Sequence, residues 1–234
     1  MKAMIFAAGS GTRMRPLTEN CPKPLLKVGG RSLIVWHILN LVRAGITEIV
    51  INLNYLGQMI EQELGNGERF GAQISYSHEN QLLETAGGLA FARDLLGPEP
   101  FVAISADIYC PHFDFSQVFD ALQTADMWGV PWAADKRDVA WLYLVPNPPE
   151  HPEGDFALNL FSLANQGTPR YTYSGISVLN PAMFSHIQAG ECVKLVTVLR
   201  DYADKGLIGG DVYRGTWVDV GTPERLEQLN KRLS

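Results

Sequence analysis

The sequence predicts an α/β fold: a doubly wound, mostly parallel sheet with a small sheet extension. Three observations predict it. Short apolar runs alternate with stretches of helical period through the first half of the chain. Those runs stop at small or polar residues, as buried strands do where they give way to ligand-facing loops. The second half is less regular, with strand-like stretches that suit a sheet extension. No internal repeat, low-complexity tract or linker divides the chain, so one domain over residues 1–234 is expected.

Lys2 to Ala7 reads as a short buried strand. Ser32 to Ala44 carries its apolar face at helical spacing (Leu33, Ile34, His37, Ile38, Leu41, Val42), and Gly45 stops it. Glu48 to Leu53 is the second strand. Leu56 to Leu64 is helical and closes at Gly65-Asn66-Gly67. Ala72 to Ser77 alternates and gives a third strand. Thr85 to Leu96 is helical until Gly97-Pro98 breaks it. Phe101 to Ile104 is a fourth buried strand, ending at Ser105-Ala106-Asp107. Beyond it, Phe115 to Ala125 reads as a helix and Leu142 to Val145 as a strand. Pro146 to Gly154 holds four prolines and reads as a loop. Phe156 to Leu163 and Thr172 to Leu179 read as strands of the extension. Pro181 to Ile187, Val193 to Lys205 and Thr222 to Leu233 read as helices. Between the last two lies an expected strand pair, Ile208 to Arg214 with Trp217 to Val220.

Composition narrows the function classes. A hydrophobic content of 46% with 19% charged residues suits a globular protein with a core. The formal net charge of −6 disfavours a nucleic-acid binder. The three cysteines have no metal-ligand spacing and suit reduced thiols in a cytoplasm. The chain opens on a strand rather than a signal-like segment, and no apolar run approaches the roughly 20 residues of a membrane span. A cytoplasmic protein with no nucleic-acid or membrane partner is the expectation.

The most informative stretch is Met4 to Leu17, followed by Pro22-Lys23-Pro24-Leu25. An apolar strand runs into a loop with Gly9 and Gly11, then Arg13, Arg15 and a lysine fixed between prolines. Backbone N–H groups in a glycine loop can converge on an anion, and the basic side chains add formal charge beside them. A polyphosphate cradle after the first strand is the physical reading. The spacing matches neither the Walker pattern nor the dinucleotide fingerprint. Asp107 follows an apolar strand, which puts a carboxylate at a strand's carboxyl end. Asp219, in Trp217-Val218-Asp219-Val220-Gly221-Thr222-Pro223, has a similar context. Two such carboxylates could share one hard cation, and magnesium takes one or two carboxylates plus phosphate oxygens. Each aspartate alone is equally a strand-end or turn residue.

The string Ala7-Ala8-Gly9-x-Gly11-Thr12-Arg13-Met14-x-Pro16-Leu17-Thr18, with Pro22-Lys23-Pro24-Leu25, resembles the signature of the sugar-1-phosphate nucleotidyltransferases. The likeness runs along the chain. It continues through Leu83-Glu84-Thr85-Ala86-Gly87-Gly88, Gly154-Asp155-Phe156 and Ser174-Gly175-Ile176, then Lys194-Leu195 and the motif around Asp219. It implies a Rossmann-like, glycosyltransferase-A-like fold and a magnesium-dependent enzyme that joins an NTP to a sugar 1-phosphate and releases pyrophosphate. UTP and N-acetylmuramic acid 1-phosphate are the favoured pair, in peptidoglycan recycling, and the molecule is expected to be a monomer or homodimer. The alternatives are GTP with a mannose or heptose phosphate, dTTP with glucose 1-phosphate, or a non-catalytic sugar-nucleotide sensor.

By position, the resemblance implies that Ala8, Gly9, Gly11, Thr12 and Arg13 hold the triphosphate and Lys23 meets the α-phosphate. It implies that Glu79, Glu84 and Thr85 frame the base and that Asp107 and Asp219 hold magnesium. Ser105, Asp155, Ser174, Gly175 and Lys194 face the sugar phosphate in the same scheme. Ser105-Ala106 stands where many relatives have Asn-Gly, which leaves the acceptor open. Thr85 is equally a helix N-cap, Asp155 a turn residue and Lys194 a helix-face residue. The tryptophan-rich stretch Met127 to Trp141 reads slightly better as a satellite core than as a sugar cap or subunit contact.

Overall fold

The computed structural model describes residues 1–119 and 140–233. Within it the chain packs as two units. The first comprises Lys2–Leu82, Ile104–Phe115 and Gly215–Ser234; the second comprises Met1, Leu83–Ala103 and Ser116–Arg214.

The first unit opens with β1 (Ala3–Phe6), β2 (Lys27–Val28), β3 (Arg31–Ser32), α1 (Leu33–Arg43), β4 (Glu48–Leu53), α2 (Gly57–Leu64) and β5 (Gln73–His78). The second begins with α3 (Glu84–Phe91) and α4 (Arg93–Leu96). The strand β6 (Phe101–Ser105) returns the chain to the first unit, where β7 (Ile108–Tyr109) follows. The second unit then adds β8 (Ala140–Val145), β9 (Phe156–Asn159), β10 (Ser162–Ala164), β11 (Arg170–Leu179), α5 (Leu195–Asp204) and β12 (Ile208–Val212). The chain ends in the first unit with β13 (Val218–Asp219) and α6 (Pro223–Leu233).

In the first unit β1, β4 and β5 are parallel, with Ile5 opposite Ile51 and Ile51 opposite Tyr76. Met4, Ile5, Val50 and Ile51 are buried, so β1 and β4 read as continuous apolar runs because both faces are covered, while β5 mixes buried and more exposed positions. Helix α1 buries Leu33, Ile34, Ile38 and Leu41 on one face. The same helix carries two buried polar side chains. His37 Nε2 lies 3.0 Å from Ile108 O, and Asn40 Nδ2 donates to Cys110 O at 3.2 Å and Pro111 O at 3.0 Å. They hold the segment that follows Asp107. A satellite core of Met14, Leu26, Val28, Leu33, Tyr109, Val220, Leu226 and Leu229 joins the glycine-loop turn, the β2–β3 hairpin and α6.

The second unit has a mixed sheet: β11 is antiparallel to β8, β8 is parallel to β12, and β10 pairs antiparallel with both β12 and β9. The α/β class therefore holds, and the parallel character belongs chiefly to the first unit. Several sequence boundaries shift. The expected strand from Phe156 to Leu163 folds as a hairpin, β9 and β10, turning at Leu160 with φ 53°. The expected helix Thr85 to Leu96 is two short helices, and Pro181–Phe184 is a 3-10 turn. The late strands do not pair with each other: β12 joins β8 and β10, while β13 joins β7. The hairpin β2–β3 carried no alternation long enough to be read.

The helix expected from Phe115 to Ala125 lies mostly outside the described residues, as do Trp128 and Trp132. Trp141 is buried in β8, 5.9 Å from the Phe161 ring. Among the described residues, no helix is long and apolar enough to cross a membrane. Cys21, Cys110 and Cys192 are free thiols.

Candidate functional site

In the first unit the loop after β1 is shaped by its own contacts. Gly11 has φ 62°, and a Cβ there would meet Thr18 Cγ2 at 3.1 Å and Lys23 Cβ at 3.4 Å. The left-handed backbone favours glycine here, and the space for a side chain is tight. A Cβ at Gly9 would meet nothing within 4 Å, so the space over this loop is open to a ligand. The Thr18 hydroxyl donates to Gly11 O at 2.7 Å, and Met14 N donates to the same carbonyl at 2.9 Å. Thr12 and Arg13 stand on a 3-10 turn whose Met14 is sunk in the satellite core, and both are exposed. The start of the loop is held on two sides: Ala106 N donates to Phe6 O at 3.1 Å, and Ala7 N donates to Asn52 Oδ1 at 2.9 Å.

Lys23 is almost entirely buried, in a 3-10 turn with a proline on either side. Its Nζ lies 2.7 Å from Asp107 Oδ2. The short ladder β7–β13 sets Asp219 opposite Ile108, the residue after Asp107, and Val220 N donates to Asp107 O at 3.0 Å. This pairing carries the two carboxylates, 112 residues apart in sequence by subtraction of 107 from 219, to neighbouring strand positions. Burial, and next the Asp107 charge, raise the Asp219 pKa above the ordinary carboxylate value. Lys23, Arg225 and Arg13 oppose that rise, in that order. Arg225 makes the most direct contact, Nη1 to Asp219 Oδ2 at 2.7 Å. Four charged residues expected at the site, Arg13, Lys23, Asp107 and Asp219, thus lie within one electrostatic cluster.

Glu79 is buried and accepts from Asn52 Nδ2 at 2.7 Å. Ser105 closes β6, two residues before Asp107. Among the described residues no group of three or more His, Cys, Asp and Glu side chains is arranged to hold a metal. The oxygen donors available are the Asp107–Asp219 pair. A hard cation would relieve their mutual repulsion, and two carboxylates leave room for phosphate oxygens, as magnesium prefers.

In the second unit the other expected residues fall into two groups. Glu84 has φ 59°, an uncommon conformation for a non-glycine residue, and begins α3. The Thr85 hydroxyl does not cap its own helix; it accepts from Leu195 N at 3.0 Å, the first N–H of α5. Ala86 N and Gly87 N donate to Val193 O at 2.9 and 3.1 Å. A Cβ on Gly87 would sit 2.1 Å from Glu191 O, so glycine permits this approach. Thr85 and the segment bearing Lys194 are therefore stitched together.

The second group centres on a bulge. Register slips between Tyr173 and Ile176 on β11, where Gly175 has φ 84° and Ser174 Oγ accepts from Ile176 N at 3.1 Å. Asp155 Oδ2 accepts from Tyr173 N at 2.8 Å, and its Oδ1 lies 3.2 Å from His151 Nε2. Asp155 therefore joins Ser174 and Gly175 through the backbone of β11. Its role as an anchor of the 146–155 loop is visible in these bonds, and Arg170 reinforces it by donating to the carbonyls of Glu153, Gly154 and Asp155.

Sequence reasoning missed Asn52, Asn54, Tyr55 and Arg225. A signal existed for Arg225, a basic residue in the first turn of the helix that Gly221-Thr222-Pro223 opens. Asn52 was visible as a polar residue in an apolar strand. Nothing local announces its partners.

The family model described as "Nucleotidyl transferase" matches residues 2–133. The chain is 45% identical over 232 residues to the N-acetylmuramate alpha-1-phosphate uridylyltransferase of Neisseria meningitidis serogroup B, covering 97% of this chain and 96% of that protein. It is 30% identical to the mannose-1-phosphate guanylyltransferase catalytic subunit beta of Danio rerio, over 96% of this chain and 62% of that relative. Its fold matches a Bacillus anthracis protein assigned as a glucose-1-phosphate thymidylyltransferase and solved with sucrose, at a TM-score of 0.81 and 22% identity over 100% of this chain and 95% of that one. It also matches HddC from Yersinia pseudotuberculosis complexed with GMP-PN, at a TM-score of 0.75 and 18% identity, over 100% of this chain and 99% of that one. With its glycine loop, buried lysine and paired aspartates, the chain belongs to the nucleotidyl transferase family.

Proposed function

We propose that the protein is a magnesium-dependent uridylyltransferase that joins UTP to N-acetylmuramic acid 1-phosphate, giving the UDP-sugar and pyrophosphate. The observation that carries the chemistry is the cluster of Lys23, Asp107 and Asp219 beside the open glycine loop. The 45% identity to an N-acetylmuramate alpha-1-phosphate uridylyltransferase over nearly the full length of both chains supports the substrate pair. The two units are taken to act as one nucleotidyltransferase domain over residues 1–234, as a monomer or homodimer, in a cytoplasm that keeps its three thiols reduced.

The residues take the following parts. Backbone N–H groups of Ala8, Gly9, Gly11 and Thr12, with Arg13, receive the triphosphate. Glu79, Glu84 and Thr85 frame the base. Ser105, Asp155, Ser174, Gly175 and Lys194 orient the sugar phosphate. Asp107 and Asp219 would hold magnesium, which supplies charge neutralisation at the phosphates when bound. Lys23 balances the negative charge that grows on the α-phosphate as an acceptor phosphate oxygen bonds to the α-phosphorus. The bond from that phosphorus to the bridging oxygen breaks, and its electron pair leaves with pyrophosphate. The attacking oxygen is already ionised, so no general base is needed, and positioning and electrostatics do the work.

The test is pyrophosphate release from each of four NTPs with a panel of sugar 1-phosphates. UTP with N-acetylmuramic acid 1-phosphate is expected to give the highest kcat/KM. A faster rate for GTP with mannose 1-phosphate, or dTTP with glucose 1-phosphate, would reassign the substrates. Absence of pyrophosphate from every pair would point to a sugar-nucleotide sensor and reject the enzyme.

A further inference from the structure

We propose that Asn52 is a positioning residue for nucleotide selection: its side chain ties the start of the glycine loop to Glu79 and couples base recognition to the phosphate cradle. The inference rests on the nucleotidyltransferase function proposed above. It begins with a strand end. Phe6 and Asn52 are the last partners of the β1–β4 ladder. The next donor on that side, Ala7 N–H, has run past the ladder, and Asn52 Oδ1 accepts it at 2.9 Å. The same amide donates through Nδ2 to Glu79 Oε1 at 2.7 Å. Both side chains are buried, so a mispaired group here is costly. Only one amide orientation works. Flipping Asn52 would set its NH2 against the Ala7 N–H and its oxygen against a carboxylate.

Two neighbours extend the connection. Asn54 Nδ2 donates to Glu79 O at 2.8 Å. The Tyr55 hydroxyl lies 3.1 Å from Thr18 O and 3.2 Å from Glu19 O. Thr18 in turn holds Gly11 O. Residues 52–55 therefore grip the phosphate loop at both ends, Ala7 and Thr18, and grip Glu79 by side chain and backbone. A carboxylate fixed in this way accepts hydrogen bonds and cannot donate them. It favours a base whose ring nitrogen carries hydrogen, as in uracil, thymine and guanine, over cytosine and adenine, whose corresponding nitrogen is an acceptor.

Asn52→Asp tests the coupling, because it keeps an acceptor for Ala7 N–H while opposing a carboxylate to Glu79. The kcat/KM ratio of the preferred NTP over CTP and ATP is expected to fall at least tenfold, mostly through KM. The double variant Asn52→Asp with Glu79→Gln restores a donor opposite the new carboxylate. Its selectivity is expected to return to within about threefold of the Glu79→Gln single variant. Thermal melts accompany each variant. If Asn52→Asp melts below the assay temperature, Asn52→Ala is read in the same way. An unchanged selectivity ratio in a folded Asn52 variant overturns the proposal. So does an equal loss with all NTPs that the double variant does not rescue, since that marks a purely structural asparagine. A wild type without turnover on any NTP rejects the enzymatic function, and the inference with it. Where the wild type turns over normally and selectively, a failure of the Asn52 variants to behave as expected counts against the coupling alone and leaves the enzymatic function standing.

Discussion

Lys23 is held by a carboxylate that the proposed reaction also needs. Its partner Asp107 is 37% exposed at the side chain while Lys23 is 10% exposed, so the pair is covered from the lysine side and open from the aspartate side. Lys23→Met would remove the cation and leave Asp107 to repel the triphosphate. A fall in kcat/KM of about 100- to 1,000-fold with little change in the melting curve is the expected outcome of steady-state assays. His37 makes a separate prediction. Burial lowers its pKa to about 4, against the Ile108 carbonyl and the Asp107 charge, which favour the cation. The folded pKa lies below the unfolded value of roughly 6.5, so the unfolded chain binds more protons between them. Stability contributed by neutral His37 is full above pH 6.5 and is lost as pH falls towards 4, by about 3 kcal/mol in all. His37→Gln keeps a donor for Ile108 O and removes the titration. Its urea-unfolding free energy should be correspondingly flatter over that range, and an unaltered pH slope would assign the effect to other groups.

Glycines set the geometry where elements meet. Gly87→Ala would drive a Cβ into Glu191 O, a backbone atom that cannot swing aside. A destabilisation of about 2 kcal/mol or more is expected by chemical denaturation, with the α3–α5 junction loosened. The longer first-unit strands were legible in the sequence, β1 and β4 as buried apolar runs with sharp stops and β5 by its alternation. Helix α1 was legible because its apolar residues keep a helical period. The hairpin at Leu160 was not, because the two central residues of its turn are Leu160 and Phe161, and a leucine takes the positive φ where a glycine would have signalled it. The pairing of β13 with β7 was hidden for another reason: two-residue strands have no pattern, and their partner lies about a hundred residues away in the chain. The charged site residues could be named from their motif, yet Arg225 and the 52–55 segment act through partners that only the fold supplies. Thr85 shows the same limit, since its hydroxyl serves α5 instead of the helix that carries it.

At the scale of the molecule, an acidic chain gathers basic side chains into a cluster within its first unit. Arg13 and Lys23 face two aspartates there, and Arg225 stands behind them. The cysteines report on packing. Cys192 is exposed and Cys110 buried, so a thiol reagent should label Cys192 in the native protein and Cys110 only after denaturant is added. Equal labelling of both under native conditions would contradict the packing around β7. The measurement that tests the central claim most directly is pyrophosphate release by the wild type, Asp107→Asn and Asp219→Asn, each with UTP and N-acetylmuramic acid 1-phosphate, in magnesium and in excess chelator. Turnover is expected only in the wild type with magnesium, with both variants reduced by about 1,000-fold while they melt like the wild type. Wild-type rates in either variant, or undiminished turnover in chelator, would contradict the account.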